Sequence, residues 1–229
     1  MSGRGGWARR RPWLAALLIG AGLLGGCQTG PQADPRTSTS VAGRHQPAPI
    51  RFAGRTATRT KPFLLAGGLI VFSAEHPGVG AFKVEILDRR GAPQRLLFLT
   101  NGRYRGSTGL GLGGGIYRLA VSGATTPWKV EINQPRGRTA AALPQQYRGA
   151  GDALVGPFQA DGDVTVDIEH DGQGDISIEL LSDQGPSLYF LLEDTGPLHT
   201  SRRAEALEPG GYYLKVEATR PWRLRLQTD

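Results

Sequence analysis

The chain has 229 residues, 39% of them hydrophobic, with 27 Lys or Arg against 20 Asp or Glu and a formal net charge of +7. This is a globular composition with room for one or two domains; its single Cys excludes an intramolecular disulfide, and 34 Gly with 16 Pro favour turns over long helices. The charge does not indicate a nucleic-acid partner, because residues 52–134 carry 11 basic and 4 acidic side chains while residues 147–229 carry 7 basic and 15 acidic, leaving the body nearly neutral but polarised.

Residues 1–13 hold Arg4, Arg9, Arg10 and Arg11 and no acid, and "WLAALLIGAGLL" at 13–24 is uncharged. Twelve residues of helix rise about 18 Å, short of a hydrocarbon core of about 30 Å. The pair therefore reads as the basic and apolar regions of an export signal. "LLGGC" at 23–27 then places aliphatic Leu24 and small Gly25 and Gly26 before Cys27. This segment resembles the lipobox of bacterial lipoprotein precursors. The resemblance implies a signal peptide over residues 1–26, lipid (diacylglycerol and acyl chains such as palmitate) on Cys27, and an extracytoplasmic, membrane-anchored protein. Gln28, in place of Asp after the Cys, implies the outer membrane in a Gram-negative host. Several acyl chains anchor stably where one does not. Residues 28–51 are rich in Pro, Gly, Ser, Thr and Gln without apolar periodicity, so residues 27–51 are expected to form a lipidated, disordered tether.

The body repeats itself. "KPFLLAGG" at 61–68 faces "GPFQADGD" at 156–163, "AFKVEILDRRG" at 81–91 faces "DISIELLSDQG" at 175–185, and "TTPWKVEI" at 125–132 faces "TRPWRLRL" at 219–226. The offsets stay at 94 or 95 residues, which indicates a domain duplication rather than a solenoid. Within each copy the apolar period is two: Phe82, Val84 and Ile86 alternate with Lys83 and Glu85, and Trp222, Leu224 and Leu226 with Arg223 and Arg225. Turn signals such as Asn101-Gly102 and Gln184-Gly185 separate the runs. The expectation is an all-β protein with two tandem antiparallel β-sandwich, jelly-roll-like domains: a basic one over residues 52–134, a linker over 135–146, and an acidic one over 147–229. Trp128, Trp222, Tyr117, Tyr212, Phe63 and Phe158 are the expected core aromatics. Each copy resembles the pre-peptidase C-terminal domain, a small β-sandwich module of bacterial envelope and secreted proteins. That resemblance implies a binding or accessory role rather than an activity.

No Gly-x-Ser-x-Gly, His-Glu-x-x-His or P-loop pattern occurs, and the Gly-rich run at 109–115 precedes a strand pattern rather than the helix a phosphate cradle needs. No enzyme, cofactor or resident metal is expected. Of the four His, His45 falls in the tether and His199 in the second copy, while His76 and His170 occupy matching positions after Glu75 and Glu169. Adjacent strand residues face opposite ways, so these read as structural turn histidines rather than as Glu-His chelates. Asp161, Asp163, Asp171 and Asp175 stand near glycines and are of the type that holds Ca²⁺. The first copy lacks them and their spacing is not that of an EF-hand loop, so solvated turn carboxylates are the favoured reading. The candidate binding patch is basic: Arg89 and Arg90, and "NGRYRGS" at 101–107, taken as a loop in which Arg103 and Arg105 flank Tyr104. It suits an anionic glycan, a lipid headgroup or a carboxylate on an envelope protein. Docking of the oppositely charged modules on each other, weakened by salt, is also expected. The overall reading is a lipid-anchored, non-catalytic binding or adaptor protein, with a structural or spacer lipoprotein, or a Ca-stabilised or glycan-binding accessory module, as the alternatives.

Overall fold

The computed structural model describes residues 46–228; the expected signal peptide 1–26, the expected lipidation site Cys27, His45 and most of the expected tether lie outside them. The described chain is all-β and forms fifteen strands: β1 (Ile50–Gly54), β2 (Thr58–Arg59), β3 (Phe63–Leu65), β4 (Gly68–His76), β5 (Ala81–Leu87), β6 (Pro93–Asn101), β7 (Tyr104–Leu112), β8 (Gly115–Ser122), β9 (Trp128–Asn133), β10 (Gln145–Ala150), β11 (Ala153–His170), β12 (Asp175–Ser182), β13 (Ser187–Thr195), β14 (Leu198–Ala218) and β15 (Pro221–Thr228). Every pairing between these strands is antiparallel.

The period-two pattern sets which face is buried. In β5, Phe82, Val84 and Ile86 are fully buried and Lys83 and Glu85 are not; in β12, Ile176, Ile178 and Leu180 repeat that pattern. In the first half, a sheet of order β1-β9-β4-β7 faces one of order β2-β8-β5-β6, with β3 paired on β8. Phe72, Phe82, Trp128 and Ile132 lie in the core between them. In the second half one six-stranded sheet has the order β10-β15-β11-β14-β12-β13 and folds around its own core of Phe158, Ile168, Tyr212 and Trp222. The two paths are the same. The first half breaks at Gly67 and Gly68, both with φ above +80°, to pass from β3 to β4, whereas β11 runs on through register shifts around Gly162. A side chain at such φ values is strained, so glycine supplies the corner.

Two boundaries differ from expectation. β1 starts at Ile50, inside the expected tether, and β10 at Gln145, inside the expected linker. Both strands are needed to cover the Trp of each copy. Gly54 is directly opposite Trp128, and Gly149 directly opposite Trp222. A Cβ at either glycine would run into the indole, so the ring lies flat over bare backbone. The indole N–H donates to Thr56 O at 3.0 Å in the first half and to Gly151 O at 2.9 Å in the second. Phe63, Phe158 and Tyr212 are buried as well, but Tyr117 is only partly so, because its hydroxyl reaches out to Gly113 O at 2.9 Å.

The halves touch along β7, where the residues in contact are mostly neutral. Leu69 packs with Leu181 and Tyr213, flanked by Val71 and Leu154. Ser107 N donates to Asp152 O at 3.1 Å and its Oγ accepts from Leu154 N at 3.0 Å. The Gly-rich run is explained here: a Cβ on Gly111 would come within 2.7 Å of the Gly185 backbone, and one on Gly109 within 2.7 Å of Leu154.

Candidate functional site

Only Gly102 and Arg103 of "NGRYRGS" form a turn, between β6 and β7. Residues 104–107 open β7, and the alternation of a strand sends Arg103 and Arg105 outward and Tyr104 inward. Tyr104 packs on Phe98 at 5.3 Å and Phe82 at 6.3 Å between ring centres. Its hydroxyl donates to Asp152 Oδ2, in the other half, at 2.7 Å. Burial, reinforced by the Asp152 charge, holds the phenol far above its ordinary pKa. Burial also raises the Asp152 carboxyl, against the hydrogen bonds from Tyr104 and Ala218 N. Tyr104 thus ties the halves together, and it also lines the groove that Arg103 and Arg105 border.

Arg103 and Arg105 form the rim of this groove, which has a volume of about 710 Å³. Arg55, just beyond β1, and Lys129 on β9 complete a set of four cations, against the single carboxylate of Glu75. Arg105 Nε lies 3.4 Å from Glu75 Oε1 with its side chain 85% exposed, a pair weakened by solvent. Pro77, Pro127 and Ala53 supply apolar wall. Trp128 lies at the floor, only 1% exposed, so it presents no stacking face. Arg55 and Lys129 were not expected here. Lys129 comes from another strand and Arg55 from the bend after β1, and the cross-strand register that aligns Lys129 with Glu75 and Glu75 with Arg105 is not written in any local motif.

Other candidates lie elsewhere. Arg89 and Arg90 occupy the turn after β5, where Arg90 N donates to Asp88 Oδ1 at 2.8 Å. The Ala81–Asn101 pairing marks the opposite, groove end of that hairpin, about 20 Å away at the rise of a strand. His76 is fully buried, stacked on Phe82 at 4.7 Å. Its Nδ1 bonds Gly102 O at 3.0 Å and its Nε2 bonds Thr126 Oγ1 at 2.9 Å. A carbonyl only accepts, so Nδ1 carries the proton and the Thr126 hydroxyl donates to Nε2. Glu75 meanwhile faces the groove, so the adjacent Glu and His diverge. The Asp residues are dispersed too: Asp163 binds Ala206 N at 2.7 Å and Arg203 at the bulge of β11, while Asp171 and Asp175 lie at its far end. Among the described residues no three His, Cys, Asp or Glu side chains gather as a metal site.

No family model matches the chain, and no curated protein matches it. Among solved structures it is similar to a conserved protein of unknown function from Pseudomonas aeruginosa PAO1, at 15% identity, 78% coverage of this chain, 80% of that one and a TM-score of 0.25. It is also similar to the PBSX exported protein XepA, at 10% identity, 78% and 86% coverage and a TM-score of 0.25. A third likeness is to the N-terminal CBM22-1–CBM22-2 tandem domain of Paenibacillus barcinonensis Xyn10C, at 9% identity, 81% and 93% coverage and a TM-score of 0.25. Likenesses at these identities and TM-scores say nothing of ligand or activity.

Proposed function

We propose that the protein is a non-catalytic, lipid-anchored binding protein of a bacterial envelope that holds an anionic glycan in the groove of its first half. The observation that carries this reading is the set of Arg55, Arg103, Arg105 and Lys129 around one groove with Glu75 as its one carboxylate. Its volume of about 710 Å³ lies within the range of small-ligand sites. Guanidinium groups match carboxylate and sulfate geometry. With Trp128 buried, stacking on an indole does not contribute, so charge rather than ring contact selects the ligand. The basic and apolar segments before Cys27 support export and anchoring outside the cytoplasm.

The test is affinity electrophoresis of the full chain through gels containing polygalacturonate or a neutral polysaccharide. Retardation is expected in polygalacturonate alone, with the apparent Kd rising at least about 10-fold in an Arg103→Ala, Arg105→Ala double variant. Equal migration in both gels overturns the reading in favour of a spacer lipoprotein.

A further inference from the structure

We infer that the second half carries a second anion site at a position overlapping that of the first groove and displaced one row along the sheet, so that one chain engages a polymeric anion at two points; this rests on the reading of the first groove given above. The register supports it. In the first half, Arg105, Glu75 and Lys129 are direct cross-strand neighbours on β7, β4 and β9. In the second, His199, Glu169 and Arg223 occupy the same row on β14, β11 and β15, and Arg148 of β10 extends it. One row along, Arg225 stands between Asp167 and Gln146. These side chains line a cavity of about 670 Å³.

The charges there are unbalanced in a specific way. Arg148 and Arg223 are directly opposite, a like-charge pair that costs stability in a sheet. Glu169 is engaged by Arg223 at 3.3 Å, and Asp167 accepts from Ser201 Oγ at 2.5 Å. Among the described residues neither the Arg148 nor the Arg225 side chain makes a hydrogen bond or ion pair, although Arg225 stands opposite Asp167. Three guanidinium groups thus face two carboxylates, Asp167 and Glu169, and the cavity keeps an excess of one positive charge in a half where acids outnumber bases 15 to 7. Long-range attraction to that half is weak, so the arrangement suits an anion delivered locally. A polymer already held in the first groove supplies one, since tethering turns the second contact into an intramolecular event. The occupant is a carboxylated polysaccharide, its uronate groups meeting Arg148 and Arg225.

The experiment is calorimetric titration of the full chain with short oligogalacturonides and with polygalacturonate. Two equivalents of oligomer per chain are expected. Arg148→Ala with Arg225→Ala leaves one, as does Arg103→Ala with Arg105→Ala, and the quadruple variant leaves none. Polygalacturonate binds about 100-fold tighter than the oligomer, and either double variant removes that gain. Retention of the near-ultraviolet signal of Trp222 checks the fold, and Arg148→Gln with Arg225→Gln replaces the Ala pair if that variant misfolds. One equivalent in the native chain, abolished by the Arg103 and Arg105 substitutions alone, overturns the second site and leaves the first groove standing. Absence of binding, or indifference to both pairs, overturns both.

Discussion

His170 Nε2 is buried without a hydrogen-bond partner, although its Nδ1 holds Gly196 O at 2.8 Å as His76 holds Gly102 O. The difference lies at one position. Thr126, which donates to His76 Nε2, is replaced in the second copy by Arg220, whose Nε turns out to Gln173 O at 3.2 Å. An unsatisfied buried acceptor costs about 1–3 kcal/mol. Arg220→Thr is therefore expected to stabilise the second half by about 1 kcal/mol, read as a higher urea midpoint with an unchanged m-value; a lower midpoint counts against the argument. Tyr104 gives the second prediction at this scale. Its pKa is raised in the folded protein, so the unfolded chain loses the phenolic proton first. The stability this supplies is complete below the ordinary tyrosine value of about 10 and is lost as pH rises beyond it. Tyr104→Phe is expected to flatten the alkaline limb of a stability–pH curve, a change that a mere packing role would not produce.

β9 and β15, the two Pro-Trp strands, owe their position to a glycine on the neighbouring strand. Burying an indole removes about 200 Å² from water, gross stabilisation of about 5 kcal/mol at the usual area coefficient. Trp128→Ala is accordingly expected to cost about 3–5 kcal/mol and to unfold the first half in urea, as followed by loss of near-ultraviolet dichroism. Unchanged unfolding would move Trp128 from core to site. The Trp phrases, the period-two runs and the Asn-Gly and Gln-Gly turns were legible because burial on one face and left-handed turns each impose a local pattern. β1 and β10 were not: "RFAG" and "YRGA" are too short to show alternation, and their glycines answer to an indole more than 70 residues away. β7 read as a loop because glycine breaks isolated strands, yet here it admits the neighbouring half's backbone. Half of the groove was visible in "RYR". Lys129 was hidden because sheet register, a property of pairing rather than of sequence spacing, brings it to the rim, and Arg55 because it follows β1, itself too short to show a pattern.

The charge difference between the two copies suggests halves that attract electrostatically, but the contact observed is of another kind. Leu69, Leu181 and Tyr213 are almost fully buried, glycines allow backbone to approach backbone, and Ser107 and Tyr104 each reach the Asp152–Leu154 segment through a hydrogen bond. Apolar burial does not weaken when salt shortens the screening length to about 3 Å at 1 M, and the Tyr104–Asp152 bond is part-buried. The radius of gyration of the described portion, followed by small-angle scattering, is thus expected to stay constant from low salt to about 1 M. Gly111→Leu, which forces a side chain into the Gly185 backbone, is expected to increase it at every salt concentration. A native chain that expands with salt, or a Gly111→Leu chain that does not expand, would assign the docking to charge after all. Under the proposed two-site binding, the packed contact holds the row of Arg105, Glu75 and Lys129 and the row of His199, Glu169, Arg223 and Arg148 in one relation, and two sites so held lose less entropy on capturing a single polymer than two that swing freely.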